Sequence, residues 1–466
     1  MSLRRISVCG LSFLVVGLMV TSVHAQGQGG NTTTTVTTSN VAGVDFDAEG
    51  VLRMHMFADR SGELTRHRIA EAKRSLDPEI VSTSRLRKVS LNRLEEAVAK
   101  RMAAGDTPTE AMQYLAGLLR IQYVFVYPET GDIVVAGPAE GWASDLSGRV
   151  RGITSGAPVI ELQDLIVALR AFPPSGSETP VIRCSIDPTK EGLANLQEFL
   201  KRIGRGATPN QTKFIVDGLR KSLGLQNVTI GGVPSDTHFA KVLVEADYRM
   251  KLIGIGLERT SVKMKSYVDH ADPTSVARNA MQRWFFVPDY ECVRVSEDKL
   301  AMELVGNAVK LIGADEMVAA DGTRANAGLV NMASKRFVDG FTEKYPEIAK
   351  AVPVYAQLRN LIDMSVAAAY IQRQDFYGQV GWSMELFGNE EAFSVQTGNA
   401  PQQVETAVSA VWRGNRLMTP IGGGVNIQPR LALASSSLLP DEQGAVKKQR
   451  GEITLDHLKP GQWWWD

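Results

Sequence analysis

The sequence predicts an α+β protein in which helices and strands are mixed along the chain. Three observations support this class. Apolar residues recur at helical spacing in some segments and alternate with polar residues in others. Strand-like and helix-like patterns follow one another from residue 155 to 256, as in βα units. Two β-rich stretches then follow, at residues 283–295 and 300–312.

The first residues have the pattern of a secretory signal peptide. Arg4 and Arg5 form a positive n-region, and residues 11–20 (LSFLVVGLMV) form an apolar h-region. The small residues Val23 and Ala25, at the positions that a signal peptidase reads, predict cleavage after Ala25, so that residues 1–25 are the signal peptide and the protein is periplasmic or extracellular. The apolar run is shorter than the roughly 20 residues of a membrane span. An uncleaved N-terminal anchor is the alternative.

Composition divides the rest of the chain into four parts. Residues 26–40 (QGQGGNTTTTVTTSN) have almost nothing to bury and are predicted to be a disordered linker. An N-terminal α+β domain is predicted for residues 41–150 and a larger α+β domain for residues 151–440. The charged segment 441–466 is predicted to be a flexible tail, although it ends in three tryptophans.

The N-terminal domain begins with a half-buried strand at Val44 and Phe46. A helix follows, with Leu91, Leu94, Val98 and Met102 on one face. Gly105 ends this helix, and Thr107 is predicted to cap the next one, with Pro108 at its first position and Glu110 closing a capping box. A hairpin is predicted from residues 121–127 and 132–135, which flank Pro-Glu-Thr-Gly.

The larger domain contains most of the predicted helices. Asp236 is predicted to cap a long helix that runs to Met250. The other predicted helices are 161–171, 188–203, 209–223, 325–344 and 354–373, and the predicted strands before the β-rich stretches are 181–186 and 228–230.

Charge and hydropathy limit the classes of partner. Cleavage would remove Arg4 and Arg5 and leave 49 basic against 51 acidic residues, which is not the basic face that nucleic-acid binding requires. No span is expected after cleavage of the signal peptide. Other envelope proteins are the expected partners, and the sequence does not predict an oligomeric state.

Familiar site motifs are missing or incomplete. Residues 45–50 (DFDAEG) imitate an EF-hand loop, but the twelfth position is Met56 instead of glutamate, so an acidic turn is expected. Gly254 and Gly256 lack the third glycine of a dinucleotide fingerprint. Ser296 and Lys299 match Ser-x-x-Lys only by letter, because they lie in a predicted turn.

Three further groups could carry chemistry, and each has a simpler explanation. Asp269, His270 and Asp272 could begin a metal or acid–base site, or they could form a loop before a helix. Residues 422–424 (three glycines) could let a ligand approach, and a tight turn is the expected reading. The tryptophans at 463–465 could contact the chain's own core, a protein partner or a sugar ring. We therefore assign no catalytic, cofactor-binding or metal-binding residue, and no cofactor.

Two cysteines would survive signal cleavage, Cys184 and Cys292. An oxidising compartment permits one disulfide between them. Two buried free thiols are the alternative, and the sequence does not decide between them.

Five segments resemble an uncharacterised exported family that carries a domain of unknown function and is found chiefly in planctomycete-type bacteria. They are 132–142 (DIVVAGPAEGW), 184–193 (CSIDPTKEGL), 245–258 (EADYRMKLIGIGLE), 283–295 (RWFFVPDYECVRV) and 358–371 (LRNLIDMSVAAAYI). The resemblance spans about residues 50–430 and implies one long unit and export. It implies no activity and no site residue.

Three functions are compatible with these observations. The first is a non-catalytic envelope or secreted protein that binds other macromolecules, as the linker and the tryptophan tail indicate. The second is a hydrolase of envelope or imported polymer, built from carboxylates far apart in sequence, with Asp289, Glu291 and Glu303 eligible. The third is a small-ligand binding protein, as the βα-like region indicates.

Overall fold

The structure is a computed structural model and describes residues 36–37, 41–57, 59, 61–204, 208–271, 280–318, 324–326, 331–409, 411–413, 416–418 and 422–466. Its strands are β1 Val36–Thr37, β2 Val41–Phe46, β3 Leu52–Phe57, β4 Ser84–Ser90, β5 Tyr123–Tyr127, β6 Asp132–Ala139, β7 Trp142–Ser144, β8 Val150–Gly152, β9 Ile182–Asp187, β10 Leu225–Gly231, β11 Glu258–Arg259, β12 Ala280–Pro288, β13 Val293–Val295, β14 Ala301–Leu304, β15 Val309–Val318, β16 Arg324–Asn326, β17 Gln403–Glu405, β18 Val411–Arg413, β19 Arg416–Met418, β20 Gly423–Ile427, β21 Leu438–Leu439 and β22 Trp464–Trp465. Its α-helices are α1 Glu63–Ser75, α2 Pro78–Val81, α3 Leu91–Ala103, α4 Glu110–Gln113, α5 Leu162–Ala171, α6 Lys190–Ile203, α7 Thr212–Leu223, α8 His238–Gly254, α9 Tyr267–His270, α10 Met332–Glu343, α11 Tyr345–Ala351, α12 Pro353–Arg373, α13 Phe376–Val380, α14 Pro429–Ala432 and α15 Ala445–Gly451.

The first of two large sheets has seven strands in the order β16-β15-β12-β20-β9-β10-β17. Neighbouring strands are antiparallel, except that β12 and β20 are parallel. Helix α8 packs on the central strands β9, β20 and β12. Strand β9, helices α6 and α7, and strand β10 follow one another, and the two helices bury a small apolar cluster of their own.

The second sheet also has seven strands, in the order β21-β13-β14-β5-β6-β4-β22. Alternate side chains of β5 and β6 enter two different cores. Val124 and Val135 belong to the main core, whereas Phe125 and Val134 belong to a smaller core that the C-terminal segment completes. The period of two in a strand explains this division. Because both faces are covered, the β5–β6 hairpin reads as nearly continuous apolar sequence.

The long helix α12 links the two sheets. It packs on α5 and α8. Three of its side chains also form hydrogen bonds with residues that flank strands of the second sheet. Asp363 accepts from Arg120 (2.7 Å), Asn360 donates to the Leu119 carbonyl (2.9 Å), and the Tyr370 hydroxyl donates to the Lys299 carbonyl (2.5 Å). A helix that is buried all round belongs to the interior of a large core. Residues 366–369, one valine and three alanines, are all buried. Such small side chains let other elements pack close to the helix.

The structure confirms the α+β class and most predicted elements. Helix α3 buries Leu91, Leu94 and Val98, and the hairpin forms as β5 and β6. Pro288 ends strand β12. Residues 45–50 form a turn in which Asp47 accepts from the Val51 backbone (2.8 Å), as expected for an acidic turn.

Two predicted helix caps are wrong by one or two residues. Thr109, and not Thr107, caps the helix that begins at Glu110, and its hydroxyl accepts from the Met112 backbone (3.3 Å). The Thr107 carbonyl instead accepts from the Arg101 side chain (2.9 Å), which holds Thr107 against the end of α3. Thr237, and not Asp236, caps α8.

Strands from both sides of residue 150 share the second sheet. Strands β4, β5 and β6 lie before that residue, and β13 and β14 lie well after it. The predicted division into residues 41–150 and 151–440 therefore does not coincide with a division of the sheets.

The segment 441–466, for which the sequence predicts a flexible tail, packs on the second sheet. It contains α15 and β22, and β22 pairs antiparallel with β4. Trp463 and Trp465 are buried against the chain's own core. Over the described part of the chain, none of the helices has the length and apolar character needed to cross a bilayer.

Candidate functional site

A groove of about 440 Å³ opens between the end of α3, the start of α5 and the segment around residue 393. This volume lies in the range of small-molecule pockets, about 300–1,000 Å³. Among the described residues, its lining combines apolar and uncharged polar side chains with one carboxylate and includes neither lysine nor arginine: Met102, Thr107, Pro108, Gln113, Tyr114, Glu161, Leu162, Gln163, Phe393 and Ser394.

Local sequence fixes each wall of the groove. Gly105 adopts a positive φ of 84° and turns the chain away from α3. The Thr109 cap then begins α4, which ends just before Tyr114. The Tyr114 ring meets Trp142 edge-on, with centroids 5.5 Å apart, and Phe393 meets Phe387 in the same way at 5.7 Å. Each of the two groove rings therefore packs against a second aromatic ring.

Glu161 of the groove lining is one of two carboxylates that flank a histidine, His238. Glu161 precedes α5 and Asp164 lies in its first turn, while His238 is the first residue of α8. The packing of α5 on α8 brings the three together. The two Asp164 oxygens lie 2.8 and 3.0 Å from His238 Nδ1, and Glu161 Oε1 lies 3.8 Å from Nε2. Gln163 Nε2 donates to Glu161 Oε2 (2.6 Å) and fixes that carboxylate.

The two carboxylates hold a proton on His238. Burial alone would lower the pKa of His238, but Asp164 and Glu161 outweigh burial and raise the pKa to about 9. Burial raises the pKa of Asp164, although His238 opposes this shift. We take the ion pair as the state near neutral pH, because both Asp164 oxygens face Nδ1. The cluster of Glu161, Asp164 and His238 then carries a net charge of −1.

A titration of the imidazole tests this charge state. We expect nuclear magnetic resonance of residues 26–466 to show His238 losing its proton near pH 9, with the transition moved to lower pH in Asp164→Asn. The sign follows from linkage: the stabilisation due to the raised pKa is fully present below about pH 6.5 and disappears as the pH rises through 9. A His238 midpoint at or below 6.5 would contradict the assignment.

The His270 group does not form a site among the described residues. Asp269 accepts from the Ser266 backbone (3.0 Å) and hydroxyl (2.7 Å), which is a capping box on α9. Burial and the nearby Lys265 and Arg336 lower the pKa of His270. Asp272 lies outside the described residues. In the part of the chain that the structure describes, no three His, Cys, Asp or Glu side chains are arranged to hold a metal ion.

The other sequence candidates also have structural partners. Ser296 donates to Asp298 (2.6 Å) in the turn where Lys299 has a positive φ of 60°, as expected for a turn. Asp289 pairs with Lys310 (2.7 Å), and Glu303 pairs with Arg294. Glu291 is exposed. The three carboxylates eligible for hydrolysis are therefore not gathered at the groove.

The three glycines form no turn, contrary to the sequence expectation. Gly423 and Gly424 begin β20, in the middle of the first sheet. A Cβ on Gly423 would lie 2.4 Å from the Trp284 carbonyl and 3.3 Å from Asp247 Oδ1. The strand passes so close to the backbone of β12 at this point that only glycine fits, and side chains of α8 lie close as well.

A crevice beside these glycines reaches the buried pair of Lys251 and Asp247. Lys251 Nζ donates to Asp247 Oδ2 (3.1 Å) and to the Ile186 carbonyl (2.9 Å). Burial raises the pKa of Asp247 to about 6. The crevice holds about 20 Å³, which is room for a single water molecule. We interpret Lys251 and Asp247 as a structural ion pair, and we do not interpret the crevice as a ligand site.

Cys184 and Cys292 are both free and buried; Cys184 lies in β9 of the first sheet, and Cys292 directly precedes β13 of the second sheet. Burial raises the pKa of Cys184 well above its usual value and that of Cys292 to about 12. We expect neither thiol to react with a disulfide reagent at pH 8 in folded residues 26–466, and both to react in guanidinium chloride. A disulfide-linked peptide containing the two residues would contradict this.

Comparison with known proteins identifies one region. Residues 184–267 match the family described as Protein of unknown function (DUF1598). This chain carries a DUF1598 domain. The DUF1598 region runs from the middle of β9 to the start of α9 and includes His238, but neither Glu161 nor Asp164. No curated protein and no solved structure matches the chain.

Sequence reasoning missed the groove and its histidine. His238 lies 74 residues from Asp164, and the segment around Phe393 lies more than 150 residues further along. A weak signal was available, because Glu161 and Asp164 have the i, i+3 spacing that puts both on one helix face. Nothing in the DUF1598 region's local pattern pairs them with His238.

Proposed function

We propose that this protein binds a small polar molecule in the groove and does not transform it. The observation that carries the proposal is the Glu161 carboxylate, which lines the groove and is oriented by Gln163 and His238. A pocket with apolar walls and a few fixed polar groups is the usual form of a small-ligand site. The sequence predicts a non-catalytic protein that binds macromolecules. The proposal retains the non-catalytic role but replaces the macromolecular partner with a small molecule.

The state of His238 supports binding over hydrolysis. A general base needs a free nitrogen near neutral pH, whereas His238 with a pKa of about 9 carries a proton on each nitrogen and directs both at carboxylates. Within the described ranges, His238 has no hydrogen bond to a serine, threonine or cysteine that it could activate.

A ligand screen with matched variants tests the proposal. Small polar molecules would be screened for binding to residues 26–466 by ligand-observed nuclear magnetic resonance, and hits would be measured again with Phe393→Ala and Gln163→Ala. Glu71→Gln, on the exposed helix α1, is the control. Hits that weaken in the groove variants and not in the control support the proposal. Hits that bind equally to all four proteins contradict the proposal. Chemical conversion of a hit by the protein contradicts the statement that the protein does not transform its ligand.

We also propose that the protein is exported to the periplasm or beyond, in bacteria of the planctomycete type. The support is the pattern of the first 25 residues and the resemblance of the five segments described above. Mass spectrometry of the protein from its producing cells should find Gln26 as the N-terminus. An intact Met1 in the exported fraction would contradict cleavage after Ala25.

A further inference from the structure

We propose that the groove binds a small organic cation, an alkylammonium ion held by the Glu161 carboxylate and by the rings of Tyr114 and Phe393. This inference rests on the proposed binding function and names the class of ligand. It follows from the charge of the groove, from its aromatic walls and from the position of His238.

The groove presents net negative charge to a ligand. Among its ten lining residues, Glu161 is the one charged side chain. The cationic side chains around it are paired elsewhere: Arg170 with Glu390, Arg149 with Glu245, and Arg101 with Asp106 at 3.5 Å. Asp164 and protonated His238 cancel one another. An anionic ligand would therefore lose hydration without gaining a cationic partner, at a large cost in free energy.

A second carboxylate adds to this field. Burial raises the pKa of the Tyr114 hydroxyl, and the carboxylates of Glu161 and Glu110 raise it further. Both carboxylates are thus close enough to act on the groove wall. A ligand with a positive charge gains Coulomb attraction from both carboxylates, whereas a neutral polar ligand can gain only hydrogen bonds.

The walls suit a cation with an apolar surface. Cations are attracted to the face of an aromatic ring within about 6 Å of its centroid. Tyr114 and Phe393 supply two rings, and Met102 adds a polarisable thioether. Because Trp142 and Phe387 support the two rings, little side-chain freedom is lost on binding.

His238 competes with such a ligand for Glu161. Its Nε2 lies 3.8 Å from Glu161 Oε1, so a bound cation and the imidazolium share one carboxylate. Removal of the His238 charge should therefore strengthen cation binding, whereas removal of the Glu161 charge should weaken it. If both residues acted only in folding, the two substitutions would change choline binding in the same direction.

Calorimetric titration with three probes of similar shape tests the inference. The probes are choline, its neutral carbon analogue 3,3-dimethylbutan-1-ol, and the anion pivalate, each with residues 26–466. We expect choline to bind at least about tenfold more tightly than the neutral analogue, and pivalate not to bind. Equal binding of choline and the neutral analogue overturns the cation inference while leaving the binding function intact. No choline binding up to 50 mM, which is far above any useful affinity, overturns it as well.

Three variants assign the effect to the groove. Glu161→Gln should weaken choline binding about tenfold, His238→Gln should strengthen it, and Glu71→Gln should leave it unchanged. Circular dichroism shows whether each variant is folded. If His238→Gln is not folded, the choline affinity of Glu161→Gln alone tests the cation inference. Unchanged choline affinity in folded Glu161→Gln overturns the inference. Loss of the separate screening hits in Phe393→Ala and Gln163→Ala would still support the proposed function.

Discussion

Arg249→Met is expected to destabilise the folded chain by about 3–5 kcal/mol, because it leaves the buried Glu258 carboxylate without its arginine partner and leaves Glu245 with Arg149 alone. Arg249 is 2 % exposed and pairs with Glu258 at 2.8 Å and with Glu245 at 3.1 Å. Burial works against its charge, but the two carboxylates outweigh burial and raise the pKa of Arg249. Burial raises the pKa of Glu258, so loss of Arg249 should push that carboxyl towards its neutral form.

Denaturant unfolding at pH 7 measures the loss. The matched control is Arg220→Met on the exposed face of α7, which removes the same charge and should change the free energy of unfolding by less than about 0.5 kcal/mol. The double variant Arg249→Met, Glu258→Gln should recover part of the loss, because one unpaired charge is removed. Equal effects of Arg249→Met and Arg220→Met would contradict the importance of the buried network.

Arg87→Met is expected to cost a similar amount, about 3–5 kcal/mol, and to release the C-terminal strand. The guanidinium is fully buried and contacts four backbone carbonyls, those of Glu79, Ile80, Ser82 and Ala116, at 2.7–3.2 Å. It also donates to both carboxylate oxygens of Asp466, at 2.9 and 2.8 Å. It lies 4.8 Å from the centroid of the Trp464 ring. Without Arg87, the four backbone carbonyls lose their hydrogen-bond donor. Asp466, which follows β22, loses its ion pair with Arg87 of β4.

Arg85→Met is the control for this prediction, since Arg85 is exposed on the same strand. Denaturant unfolding gives the free-energy change, and digestion by a carboxypeptidase follows release of the strand. Digestion past Trp464 should be fast in Arg87→Met and slow in Arg85→Met and the unaltered chain. A resistant C-terminus in Arg87→Met would show that β22 does not depend on this arginine.

Elements with strong local signals were predictable from the sequence. The hairpin at β5 and β6 combines continuous β-forming residues with Pro-Glu-Thr-Gly, and α3 shows an apolar stripe that ends at a glycine. The cap was misplaced at Thr107 because Arg101 binds its carbonyl. That contact is invisible to a rule based on the spacing of Thr, Pro and Glu. Local rules therefore gave the helices but not their exact starts.

Contacts between distant residues explain the remaining differences. The tryptophan segment is buried because β4, more than 370 residues earlier, offers an edge and the Arg87 guanidinium. Gly423 is required by its closeness to Trp284 and Asp247, not by a turn. His238 becomes part of a candidate site only when α5 packs on α8. Composition and spacing carry no information on such pairings.

A crystal structure of residues 26–466 soaked with a mixture of small polar molecules that includes choline would show whether the groove binds a ligand. We expect density for a bound molecule in the groove, in contact with Glu161 and between the walls that carry Tyr114 and Phe393. An empty groove, with the same molecules bound repeatedly at another place on the chain, would contradict the claim that this groove is the functional site.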